Sequence, residues 1–307
     1  MRMHFHLRYC FLLLSVLAIT SWAEPAAAAK NGEPSPEQAN EKPAFDPALW
    51  RKVDPENLLV MELETGRVAI ALYPEIAPRS VARIKERVRA GFYDGLSFYR
   101  VVENFVAQGG IGEGSPPHRR QPPLKAEFTF PAAHARPFTP VQKPEIFAPE
   151  TGFWRSLPIG RDPKHGRAWA IHCPGTFALA RDADPDTSRS EFYITIGEAP
   201  RHLDRNLTVL GRVIAGLRFV QAAPRGDPDV NYGVIPDGRP RLRILHARIA
   251  ADIPEADRPV FHVMRTDTPT FRRRIAAQRA RDNPFWVVRP KPYLDICTVP
   301  VPVQPIW

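Results

Sequence analysis

Arg100 and Gln108 are the side chains whose surroundings best suit chemistry. They lie in Ser-Phe-Tyr-Arg-Val-Val-Glu-Asn-Phe-Val-Ala-Gln-Gly-Gly, residues 97–110. Across 98–102, Phe98, Arg100 and Val102 alternate with Tyr99 and Val101, the period of a strand, which puts Arg100 on a face with two apolar side chains. A guanidinium keeps its charge and is costly to bury unpaired. It must therefore sit at the edge of that surface, offering its fixed N–H donors to an acceptor. Phe105 and Val106 add apolar surface, Gln108 adds an amide, and Gly109–Gly110 let the backbone turn or come close to another group. The outcome is an apolar shelf with an Arg and a Gln at its rim.

The order F-x-R-V-V-x-x-F-V-x-Q-G-G resembles the signature of the cyclophilins, peptidyl-prolyl cis–trans isomerases. The resemblance implies that Arg100 is the main catalytic group and that Gln108 holds the substrate backbone. It also implies that Phe105 and Val106 line a pocket for the proline ring. A second block agrees: residues 180–194 fit A-R-x-x-D-P-x-x-x-x-S-x-F-[FY]-I, and residues 202–213 fit H-L-D-x-x-x-T-V-x-G-R-V, in the bacterial form of the family. Tyr193 and Leu203 then complete the pocket, with Arg181, Asp182, Glu191, His202 and Leu207 as further substrate-binding positions. Four of these, Asp182 among them, depart from the common pattern. His202 stands where many members have Trp, which implies weak cyclosporin binding, and Leu207 stands where they have His. Glu191 replaces Gln and is expected to pair with Arg100 or Arg181, holding Arg100 back in the free enzyme. The family contact at Asp182 runs largely through its backbone.

The chemistry asks for little. An X–Pro amide isomerises over a barrier of about 18–20 kcal/mol because the amide is conjugated. No bond breaks, so neither nucleophile, metal nor cofactor is required. A donor to the prolyl nitrogen favours the twisted amide over the planar one. Other constellations fail: Asp182, Asp184 and Asp186 begin like a calcium loop, but Thr187 stands where Gly is needed. His165, His172 and Cys173 lack zinc spacing. A competing reading is a weakly active or inactive chaperone or binding module for Pro-containing segments, which Leu207, His202 and Glu191 favour.

The elements that must position these residues follow in order. Arg2 and Arg8 precede the apolar run Phe11–Ile19, and Ser21-Trp22-Ala23 has the small residues of a cleavage site, so 1–23 reads as a signal peptide. The run is too short for a membrane anchor, and the expected location is exported: periplasmic in a Gram-negative bacterium, otherwise secreted. Residues 24–57 read as a leader or linker. The isomerase domain is expected over 58–250, as a mainly β, closed eight-stranded antiparallel β-barrel with two capping helices, which the resemblance implies. Its hairpin turns at Thr65-Gly66, and its first helix starts at Pro78 and ends at Gly91. Residues 115–174 carry 12 prolines and contain an insertion; so many prolines exclude a long helix or a central strand. The extension 251–307 holds one basic helix opened by Thr268-Pro269 and is expected to pack on the barrel as an arm.

Without residues 1–23 the chain has 40 basic and 33 acidic residues, a net of +7. The insertion has 9 basic against 4 acidic residues and the extension 9 against 6, so the excess sits outside the barrel. In an exported protein this reflects solubility or an anionic envelope partner rather than nucleic acid. The expected substrates are Pro-containing polypeptides, the expected state a monomer. Cys173 and Cys297 can pair in an oxidising compartment, but spacing alone leaves this open.

Overall fold

The computed structural model describes residues 46–112 and 115–307. The signal-peptide reading of 1–23 and most of the leader lie outside these residues. Eight antiparallel strands close a barrel. In order around it they are Thr176–Leu179, Phe192–Thr195, Val106–Gly110, Ser97–Val101, Leu242–Ile249, Leu58–Leu63, Gly66–Leu72 and Val209–Ala215. Closure leaves no sheet edge, so both faces of many strands are covered: Leu58–Met61 and Val68–Leu72 are buried without a break. Phe192 centres the interior. Phe98, Phe177 and Tyr93 surround it with ring centroids 5.2–5.6 Å away, two of the three edge-on. Each aromatic pair contributes about 0.5–1.5 kcal/mol beyond burial.

Helix Pro78–Arg89 packs on the strand Leu242–Ile249, and the short helix Leu217–Gln221 packs on Gly66–Leu72. The first helix begins at proline with no side-chain cap of its own. Glu127, from the long segment after the Gly-Gly pair, accepts from the N–H groups of Arg79 and Ser80 instead, placing a carboxylate at the positive end of the helix.

Two sequence expectations change. The Pro-rich stretch builds a five-stranded sheet, ordered Phe130–Pro131, Arg167–Ala170, Leu157–Asp162, Glu150–Trp154, Thr139–Gln142. Pro131 and Pro140 lie on its edge strands. Pro158 is the second residue of the central strand, where its carbonyl still accepts from Ile171 N–H. Proline thus limits where a strand can start and which positions stay unpaired; it does not forbid the sheet. Gly160 lies opposite Trp169, and a Cβ there would collide with the indole.

The second change is at the N-terminal boundary. Ordered strand begins at Trp50–Lys52, before Leu58, because this segment pairs with Val260–Met264 of the extension. Val303–Ile306 adds the third strand of that small sheet. In the extension, helix Pro269–Ala280 is opened by Thr268, whose hydroxyl accepts from Phe271 N–H. Phe271 packs edge-on against Phe153 of the inserted sheet, 5.3 Å between ring centroids. Cys173 and Cys297 form a disulfide across 124 residues. Tyr73 and Arg212 of the barrel strands and their margins donate to the carbonyls of Arg155 and Ser156, so barrel and inserted sheet are also joined by hydrogen bonds. No described helix is long and apolar enough to cross a membrane.

Candidate active site

The strands Ser97–Val101 and Val106–Gly110 pair as a hairpin that brings Arg100 opposite Gln108. Simple alternation does not survive here. The register shifts between Phe98 and Arg100, a bulge that inserts Tyr99 as an extra residue. Phe98 and Val101 therefore enter the barrel interior, while Tyr99 and Arg100 stay together on the outer side, and Arg100 does not share a face with Phe98. Arg100 Nη1 donates to Gln108 Oε1 at 3.1 Å, and Gln108 Nε2 donates to the Tyr99 hydroxyl at 2.6 Å. Arg100 Nε donates to the carbonyl of Tyr232 at 2.8 Å. Among the described residues Nη2 of Arg100 takes no hydrogen-bond partner.

A cleft of about 410 Å³ opens beside this guanidinium. Phe105, Val106, Tyr193, Leu203 and Leu207 form its apolar lining; Arg100, Gln108 and Arg181 are its polar members. Ala180 and Tyr232 also line it and were not legible as site residues. Tyr232 is 80% exposed with φ +55°, a left-handed residue in a loop that returns to the Arg100 strand through a bridge to Val234. Nothing in Asn231-Tyr-Gly beyond its turn character signals that contact.

Tyr193 owes its place to a buried network that the sequence reading passed over. Asp204 can only accept, so His172 Nδ1, 3.0 Å away, carries the ring proton. Nε2 lies 2.8 Å from the Tyr193 hydroxyl and, with the ring neutral, accepts from it. Burial, and next the charge of Asp204, push the Tyr193 phenol well above its ordinary value, so it stays protonated as a donor. With its hydroxyl engaged by His172, Tyr193 offers ring carbon to the cleft.

Three expected site residues stand elsewhere. Glu191 is fully buried and does not reach Arg100 or Arg181. Its Oε1 accepts from Ile111 N–H at 2.9 Å and lies 3.6 Å from His118 Nδ1. It fills space that only Gly110, at φ +145°, leaves open: a Cβ at 110 would collide with the carboxylate. A side chain two residues before Tyr193 on one strand points to the same face only if pairing is regular, and Glu191 precedes the strand, which starts at Phe192. Asp182 does not line the cleft. Its carbonyl accepts from Arg181 Nη1, and its carboxylate faces Arg189 at 3.8 Å. His202 is exposed and stacks on the outer side of Phe105, 6.2 Å between ring centroids and 19° between planes, at the margin rather than in the lining. Arg181 is fixed by the carbonyls of Asn206, Asp182 and Ala183.

Such an arrangement can hold an apolar ring against Phe105, Val106 and Leu203 while an arginine donates to an atom at the ring's edge. The profile of the cyclophilin type peptidyl-prolyl cis-trans isomerase/CLD family matches residues 58–245, more than half of the chain. The chain is a cyclophilin-type peptidyl-prolyl cis–trans isomerase. A solved cyclophilin, AquaCyp293 from Hirschia baltica, is 30% identical with a TM-score of 0.67, covering 89% of this chain and 98% of that one. A probable peptidyl-prolyl cis-trans isomerase of Brucella suis biovar 1 is 29% identical over 215 residues, 65% of this chain and 85% of that protein. Peptidyl-prolyl cis-trans isomerase B of Bacillus subtilis is 31% identical over 166 residues, 54% of this chain and 89% of that protein. The match to the Hirschia cyclophilin covers more of the chain than residues 58–245 and so reaches outside that segment. This cyclophilin accelerates rotation about X–Pro bonds, and its substrates are Pro-containing peptides.

Proposed function

We propose that this isomerase acts on exported polypeptides as they fold, outside the cytoplasm, with the Arg100 cleft as its active site. The proline ring enters among Phe105, Val106, Tyr193, Leu203 and Leu207. Gln108 holds the substrate backbone. The guanidinium of Arg100 donates to the prolyl nitrogen once twisting has ended its conjugation and made it a better acceptor. This interaction is strongest in the twisted state, so it lowers the barrier rather than deepening the bound ground state. The observation that carries the reading is the Arg100 guanidinium, fixed at Nε and Nη1 with Nη2 unengaged among the described residues at the cleft.

Export is supported by Arg2 and Arg8 ahead of the apolar run 11–19 and by a Cys173–Cys297 disulfide that suits an oxidising compartment. The protein works as a folding helper and a monomer, and the basic excess of the insertion and extension faces an anionic envelope surface. The test is to express the whole chain and a form lacking 1–23, fractionate the cells and assay each fraction with an X–Pro peptide. Activity outside the cytoplasm that depends on 1–23 is expected; full-length protein retained uncut in the cytoplasm overturns the export reading.

A further inference from the structure

The turn Arg201–Leu203, with Leu207 just beyond, supplies two apolar side chains of the cleft. Arg201 itself is buried, its side chain 4% exposed. Its Nε donates to Asp204 Oδ2 at 2.7 Å, and its Nη1 and Nη2 donate to both carboxylate oxygens of Glu145 at 3.2 and 3.1 Å. Glu145 comes from the insertion, 56 residues earlier, and its side chain is 2% exposed. It also accepts from Phe147 N–H at 3.0 Å and from the Tyr293 hydroxyl of the extension at 3.3 Å. On the far side, Asp204 Oδ1 accepts from the backbone N–H and the ring Nδ1 of His172, whose Nε2 meets Tyr193. His172 also stacks on Tyr193, 11° between ring planes. Glu145, Arg201, Asp204, His172 and Tyr193 thus make one continuous buried chain from the insertion to the cleft.

Two carboxylates and a guanidinium are costly to desolvate, and apolar side chains of equal volume often fasten a structure as well or better. A bidentate pair supplies something apolar packing does not: it fixes distance and plane together. With Arg201 and Asp204 both engaged, the turn cannot carry Leu203 away without breaking a buried charge pair. Tyr193 cannot rotate without leaving its hydroxyl unpaired.

We propose that Glu145 is a positioning residue for the proline pocket. Through Arg201, Asp204 and His172 it fixes Leu203, Leu207 and the ring of Tyr193, which makes the insertion and the extension part of the substrate-binding apparatus. The proposal rests on the Arg100 cleft being the proline site. It follows that this pair governs how well substrate is held, while Arg100 governs rotation.

The test is full kinetics on an X–Pro tetrapeptide with the disulfide-intact protein. Glu145→Gln keeps the shape and removes the charge; KM should rise about three- to tenfold with kcat within about twofold, as for loss of uniform binding. Glu145→Asp should fall between Gln and the native residue. The ring ¹⁵N resonances of His172 should shift in Glu145→Gln. Glu150→Gln is the control: it breaks another ion pair of the inserted sheet, to Arg161 Nε at 2.6 Å, and should lower Tm with KM unchanged. A folded Glu145→Gln protein with native KM and unshifted His172 signals overturns the proposal. If Glu145→Gln does not fold, Glu145→Asp and Tyr293→Phe carry the test, and native KM in both overturns it. Arg100→Ala, run alongside, separates the two readings: full activity there defeats the cleft assignment itself, whatever Glu145 does.

Discussion

On the proposed mechanism, replacing Arg100 by alanine removes the donor to the twisted prolyl nitrogen. The structure sets the size of the effect. Arg100 is a charged donor held on two sides, at 2.8 Å by the Tyr232 carbonyl and at 3.1 Å by Gln108, so little reorganisation is needed when substrate arrives. Loss of one such preorganised donor costs a factor of about 10²–10³, roughly 3–4 kcal/mol of transition-state stabilisation. The loss should fall mainly on kcat, because the apolar lining that holds the ring remains. Arg100→Lys keeps the charge, but an ammonium is a point donor and cannot hold Tyr232 and Gln108 as a planar fork does; an intermediate loss of about tenfold is expected. Folding should tolerate both changes. The Arg100 side chain is only half-buried and lies outside the barrel interior, so destabilisation should stay near 1 kcal/mol. Cis–trans exchange of an X–Pro peptide gives the rates and thermal unfolding gives Tm. Near-native kcat in Arg100→Ala with an unchanged Tm refutes the assignment. So would a loss of activity that merely parallels a loss of folded protein.

Glu191→Gln should leave kcat/KM within about twofold, since Glu191 binds Ile111 N–H away from the cleft; a loss above about tenfold would contradict that placement. Reducing the Cys173–Cys297 disulfide, or Cys297→Ser, should lower stability by on the order of 2–5 kcal/mol because the bond closes a loop across 124 residues, and denaturant titration with and without reductant measures it. Burial pushes the phenols of both Tyr93 and Tyr193 up, with Glu191 and Asp204 respectively adding to the effect. In the unfolded chain these phenols ionise near pH 10 while the folded protein keeps their protons, so stability is full below about pH 10 and falls as pH rises beyond it. Thermal melts from pH 8 to 11.5 should show that slope, and Tyr93→Phe should reduce it; an unchanged slope would argue against a buried phenol there.

The sequence by itself settled the barrel and singled out Arg100 as the arginine expected at its cleft. The hairpin around Thr65-Gly66, the proline-initiated helix at Pro78 and the strands before Ala180, after Glu191 and before Gly216 all follow from short-range periodicity and turn chemistry, which act between neighbours in the chain. Arg100, Phe105, Val106 and Gln108 belong to one hairpin, so their meeting is nearly local. What tertiary structure alone decided are the matters of register and long-range pairing. The bulge at Tyr99 reverses the facing that alternation assigns to Arg100, because one extra residue moves every side chain beyond it to the other face. The direction of Glu191 depends on the space left by Gly110 on another strand. The inserted sheet was hidden because its prolines sit at edges and strand starts, which composition cannot distinguish from proline in a strand interior. The start at Trp50, the pairing of Cys173 with Cys297, and, apart from its local Arg201–Asp204 link, the chain from Glu145 to Tyr193 join residues 21 to more than 200 positions apart. Contacts at such separations leave no periodic trace in the sequence; they exist only once the chain has folded and two distant surfaces have excluded water between them.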